Sequence, residues 1–188
     1  MNSHATINED INPKAWGLVS NYRINICIDD VSYTLPRETY NVGDFVSIIP
    51  INILQRYIYL IEQPRAGMLK KYGQISLEAC GGKVDNQGPL YSAVNELYEE
   101  CGITCNELNL NFIGDVMVNP GSLEEKSYLY YVEFGADQVA DELTLDENEP
   151  LIRRKVYFDE LSNLIEQGHI KDLRTLYLIK KLEERKVL

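Results

Sequence analysis

The chain has 188 residues, 45% of them hydrophobic and 25% charged, and a formal charge of −11. That is enough for one well-buried domain of ordinary globular composition, and it excludes a disordered chain. No basic cluster offsets the acidic balance, which argues against nonspecific binding to nucleic acid or to an anionic membrane, and an anionic substrate would need cations placed locally.

Residues 1–13 are polar and read as a loose lead-in, followed at 16–19 by cover for a core edge. Residues 23–28 and 32–35 are β-prone runs separated by Asp29 and Asp30, the pattern of a hairpin. A turn at 40–44 precedes two buried strands at 45–51 and 57–61, the second running into Glu62, Gln63, Pro64 and Arg65. An arginine just past a strand end, beside a proline that fixes the path, is placed to face a site. Residues 66–73 read as a loop, and 75–79 as a short strand delivering the tight turn of Gly81, Gly82 and Lys83. Pro89 then opens a helix that Gly102 closes. Residues 108–118 and 127–134 fit strands on either side of a turn at Asn119, Pro120, Gly121 and Ser122. An acidic loop spans 135–150, a strand 153–158, and a helix capped by Asp159 runs through Ile165 to Gly168. A closing helix spans 173–182, and the mixture of strands and helices predicts a layered α/β arrangement.

Cys27, Cys80, Cys101 and Cys105 include no CxxC pair, and His4 and His169 have no cysteine at ligand spacing, which weighs against zinc. With no signal pattern and no apolar run of membrane length, a cytoplasmic location is expected.

The helix after Pro89 carries the chemistry. Leu90, Val94, Leu97 and Cys101 are expected on one face, with Glu96, Glu99 and Glu100 opposite them. Like charges at i, i+3 and i+4 repel by roughly a few tenths of a kcal/mol per pair, so a neutralising cation would explain them. Carboxylate oxygens suit Mg²⁺, which keeps waters and bridges to phosphates. A solvated acidic face is the simpler alternative for the helix taken alone.

The run from Gly81 or Gly82 through Glu96, Leu97, Tyr98, Glu99, Glu100, Cys101, Gly102 and Ile103 resembles the Nudix box, GX5EX7REUXEEXGU, with U a bulky apolar residue. Its second half is close, and its first half departs. Counted back from Gly102, the box glutamate falls on Gln87 and the arginine on Asn95; counted forward from Gly82, the glutamate falls on Gly88. Further stretches at 61–65, 78–82, 119–125, 146–149 and 168–172 resemble landmarks of the ADP-ribose and nucleotide-sugar pyrophosphatase branch. The turn at 78–82, followed by Asp85 and Asn86, is similar to that of GDP-mannose hydrolases.

The resemblance implies a mixed β-sheet sandwiched between helices (α/β/α) with an N-terminal β-hairpin. It divides the chain into a lead-in and hairpin over 1–44, part of a homodimer interface, and a hydrolase domain over 45–188. It implies Mg²⁺-dependent hydrolysis of the diphosphate linkage of ADP-ribose or a nucleotide sugar such as GDP-mannose, with Mn²⁺ as an alternative ion. Carried over by position, Glu96 and Glu100 become metal ligands, Glu99 a ligand or an outer carboxylate with a catalytic part, and the Gly81 carbonyl a further ligand. Arg65, Glu78 and Glu125 are the expected substrate contacts, and Glu147 or Glu149 the general base. The competing expectation is a protein of the same fold that binds or senses such a ligand without turning it over. Loss of both the box glutamate and the box arginine would remove a scaffold ion pair cleanly, since losing one alone strands a partly buried charge.

Overall fold

A computed structural model describes residues 17–140, 143 and 150–188. The expected lead-in at 1–13, Trp16, and the acidic-loop residues Glu147 and Glu149 lie outside the described residues.

The described chain opens with a long hairpin, β1 (Leu18–Ile28) and β2 (Val31–Asn41), paired antiparallel in continuous register. Asp29 and Asp30 both take positive φ, 48° and 60°. Two such residues make the tight turn whose twist suits a two-residue hairpin, and aspartate tolerates that backbone better than most side chains. The strands run farther than the β-prone core of the sequence because their outer pairs are held by the ladder and need little burial.

The main sheet contains β3 (Phe45–Asn52), β4 (Tyr57–Gln63), β5 (Ser76–Glu78), β6 (Asn111–Val116), β7 (Ser127–Glu133) and β8 (Ile152–Tyr157). Its path is β5-β4-β3-β7-β6, with β8 on the other side of β4 and β3 parallel to β7. β3 and β4 pair only at their shared end, Ile51 with Ile58 and Asn52 with Tyr57, and then diverge. The glycine turn fills that fork. β5 pairs with β4, and beyond it the Ile48 and Val46 amides of β3 donate to the Cys80 and Gly82 carbonyls at 2.8 and 2.9 Å.

The described residues form four α-helices, α1 (Ala66–Tyr72), α2 (Pro89–Cys101), α3 (Phe158–Glu166) and α4 (Leu173–Glu184), of which α2, α3 and α4 pack on the sheet. One core joins α2 residues Ala93, Leu97 and Cys101 to Val46, Ile48 and Ile61, while another joins α3 and α4 to Ile49, Ile58, Leu60 and Leu129. Alternate residues of the same strands feed both, which is the expected α/β/α sandwich.

Several local expectations change. Residues 66–73 are not a loop: they contain α1, which buries no residue and therefore shows no amphipathic period. The strand expected over 108–118 shortens to β6, with a 3-10 turn at Glu107–Asn109 before it and a bulge between Phe112 and Gly114. Asp159 does not cap α3; the helix starts at Phe158, and the Glu160 carboxylate accepts from the Tyr157 amide at 2.8 Å.

Candidate active site

The fork in the sheet, the acidic helix, the start of α4, and the stretches that carry Arg65 and Glu125 converge on a cavity of about 730 Å³. Gly81, Gly82, Lys83, Glu96 and Glu100 line it, and so do Arg65, Glu78, Glu125 and Arg174.

α2 begins with Pro89 at its first turn and ends at Gly102, whose φ of 65° lets its amide reach back to the last carbonyls. The helix does not divide as its sequence suggests. Leu90 is 39% exposed, whereas Glu100 is only 7% exposed and lies with Ala93, Leu97 and Cys101 on the buried side. Glu96 is half-buried and faces the cavity with Glu100, one turn away; Glu99 is exposed and does not line the cavity. The acidic cluster is therefore split by the helix into an inward pair and an outward residue.

The glycine turn is shaped to that inward pair. The Gly81 amide donates to Glu100 Oε2 at 2.7 Å. A Cβ on Gly82 would overlap the Glu96 carboxylate, and one on Gly81, at φ 151°, would overlap the Val46 carbonyl of β3. Burial, with Glu96 alongside, pushes the Glu100 carboxyl from 4.5 up to about 9, against the opposing pull of the Gly81 amide and Arg65. Two carboxylates so placed cannot both ionise cheaply without a cation between them.

Among the described residues, no three histidine, cysteine or carboxylate side chains are grouped closely enough to hold a metal ion by themselves. That donor set still fits Mg²⁺, which is commonly bound through one or two carboxylates with waters and substrate phosphates completing its shell. Glu96, Glu100 and the Gly81 backbone would hold it.

Arg65 sits just before α1, and its Nε donates to Glu78 Oε1 at 2.6 Å. Glu78 is 4% exposed and also accepts from Ser76 Oγ at 3.1 Å. Glu62, the other carboxylate near Arg65 in sequence, pairs with Arg154 of β8 at 3.1 Å. Glu125 follows the Pro-Gly turn and faces the cavity, while its neighbour Glu124 points away to the hairpin. Hydrogen bonds from Thr39, Tyr22 and Asn41 hold the Glu124 carboxyl below the usual carboxylate range.

Sequence reasoning missed Arg174. Asp172 caps α4, accepting from the Thr175 amide at 2.9 Å and the Thr175 hydroxyl at 2.8 Å, and it pairs with Arg174 at 3.2 Å. Thr175 Oγ1 in turn accepts from the Ala79 amide at 2.8 Å, which fastens α4 beneath the strand that carries Glu78. The signal was present as an Asp cap two residues before an arginine, but only the docking of the start of α4 on Ala79 brings that arginine to the cavity. Arg153 was also missed: its Nη1 donates to the Cys101 carbonyl at 2.7 Å, a cation on the C-terminal end of α2.

No family profile matches the chain. A GDP-mannose pyrophosphatase of Yersinia pestis (strain Pestoides F) is 28% identical over 177 residues, covering 88% of this chain and 84% of that protein. One from Escherichia coli O9:H4 (strain HS) is 27% identical over 150 residues, covering 78% and 77%. Among solved structures, an ADP compounds hydrolase superposes with a TM-score of 0.71 at 20% identity, over 94% of this chain and 90% of that one, and shares the fold.

Proposed function

We propose that this chain, a member of the Nudix superfamily, hydrolyses the diphosphate linkage of a nucleotide sugar or ADP-ribose to a nucleoside monophosphate and a sugar phosphate. The observation that carries the reading is the inward pair Glu96 and Glu100 beside the glycine turn, lining one cavity together with Arg65 and Arg174. A diphosphate needs both. The arginines offer donors that match phosphate oxygens, and their attachment to Glu78 and Asp172 holds them in place before substrate arrives.

Glu96, Glu100 and the Gly81 carbonyl are the proposed ligands of Mg²⁺, or of Mn²⁺, with Glu99 as a further carboxylate near the helix surface. When bound, such an ion shields phosphate charge and lowers the pKa of water. Glu78 orients Arg65, and Glu125 contacts the substrate from the loop after Pro120. Glu147 or Glu149 is proposed as the base that removes a proton from the attacking water; a base on a loop can approach once substrate is seated. GDP-mannose is the first substrate to test, because relatives over most of the chain's length carry that activity in their names.

A homodimer built on the hairpin belongs to the same reading. Leu18, Ile24, Ile26, Ile28, Val31 and Tyr33 are exposed, and their register puts them on one face of the ribbon. A face of this kind favours a second copy. A cytoplasmic location is also proposed, supported by four cysteines without disulfide bonds. No described helix is long and apolar enough to cross a membrane.

The test is incubation with GDP-mannose, ADP-ribose and other nucleotide sugars, with and without Mg²⁺, and chromatography of the products. Monophosphate release that stops on chelation supports the reading. Tight binding of a nucleotide sugar with no release would instead favour a sensor, and no binding at all would sink both.

A further inference from the structure

Glu124 and Glu125 are neighbours on one irregular stretch, yet they serve opposite sides of it. Glu125 lines the cavity. The Glu124 carboxylate accepts from Tyr22 Oη at 2.9 Å, from Thr39 Oγ1, and from Asn41 Nδ2 at 2.8 Å, so both hairpin strands are tied to it. Hydrogen bonds to an ionised acceptor are stronger than those between neutral groups. Asn41 also reaches the other way, its Oδ1 accepting from the Gly43 amide at 2.8 Å. Beside these bonds the Tyr40 amide donates to the Ser122 carbonyl at 2.8 Å, and the Glu124 amide to the Tyr40 carbonyl at 3.1 Å. The hairpin forms its own two-stranded sheet, and its apolar face is exposed. Little core packing sets its angle, which leaves this polar junction to do so.

We infer that Glu124 is a positioning residue: through it the hairpin sets where Glu125 stands in the cavity. The backbone on either side of Glu125 is held, the Glu124 amide by the Tyr40 carbonyl and the Lys126 amide by Asp44 Oδ1 at 3.0 Å, and the Glu124 carboxylate is the side-chain tie that couples this stretch to both hairpin strands. Any load on the hairpin, such as docking of its apolar face on a second copy, then reaches Glu125 through this carboxylate and the backbone bonds beside it. The kinetic consequence rests on the hydrolase reading, whereas the mechanical link does not.

The experiment compares Glu124→Gln with the paired variant Glu124→Gln, Asn41→Asp. The single change keeps the shape but removes the charge and one acceptor, setting an amide nitrogen against either Asn41 Nδ2 or the Tyr22 and Thr39 hydroxyl donors. The pair restores the bond with its direction reversed and still leaves an oxygen for the Gly43 amide. Amide hydrogen exchange over residues 119–126 and kcat/KM on a nucleotide sugar are both measured. The single variant is expected to exchange faster there and to lose about tenfold in kcat/KM, with Mg²⁺ affinity unchanged, because small misplacements of a contact are costly. The pair should recover both to within about threefold. Unchanged exchange, faster exchange with normal kcat/KM, or a pair no better than the single variant would each overturn the inference. If the wild-type protein turns over no nucleotide sugar, the hydrolase reading fails by itself, and exchange with its rescue still decides whether the hairpin holds the loop.

Discussion

Glu100 owes its chemistry to its surroundings more than any other residue of the site. The Gly81 amide fixes its direction, burial disfavours its charge, and Glu96 raises that cost. Its folded pKa, about 9, lies above the ordinary 4.5. Unfolding therefore releases a proton between those values, so the stability of the metal-free protein is fully present below 4.5 and is lost as pH rises toward 9. Urea midpoints taken in chelator across that range should fall with pH, and Glu100→Gln should flatten the slope. With Mg²⁺ present the same variant should abolish turnover, leaving circular dichroism unchanged. Turnover that survives Glu100→Gln would remove this residue from the metal site. Glutamates one turn apart on a helix were visible in the sequence; that Glu96 and Glu100 turn inward was implied there by the resemblance alone, because it depends on the rotation of α2 against β3.

At the scale of elements, the glycine turn and α2 act as one unit. Gly82 is bare because the Glu96 carboxylate occupies the space a side chain would take. Since that carboxylate is the end of a flexible chain, Gly82→Ala should cost less than about 1 kcal/mol of stability. It should nevertheless weaken divalent-ion affinity by about 10- to 100-fold, as titration calorimetry would show, because it displaces a ligand. Asn95, which stands where the box arginine is expected, is half-buried and does not line the cavity. Asn95→Ala should retain most activity; an inactive variant with normal metal binding would mean that this position has kept a catalytic part. α2 was legible from Pro89, Gly102 and its glutamates, whereas α1 was not, since a short helix with no buried residue leaves no periodic trace.

For the whole molecule, the sandwich places the cavity where β3 and β4 diverge, lined by residues of α2 and of the start of α4. The hairpin stands apart from this body and presents an apolar face. Ile24→Glu combined with Ile26→Glu should turn a dimer into a monomer in light scattering, and a protein already monomeric before the change would refute the hairpin interface. By itself the sequence determined the layered α/β class, the hairpin, the buried strands and the carboxylate helix, because alternation, turn residues and helix ends are local properties of the chain. Only the tertiary structure decided that Glu100 is buried while Glu99 faces out, that Arg65 pairs with Glu78, that Arg174 joins the site, and that Glu124 serves the hairpin while Glu125 serves the cavity. Each of those depends on how one element is set against another, and distances between elements remote in sequence are fixed by packing.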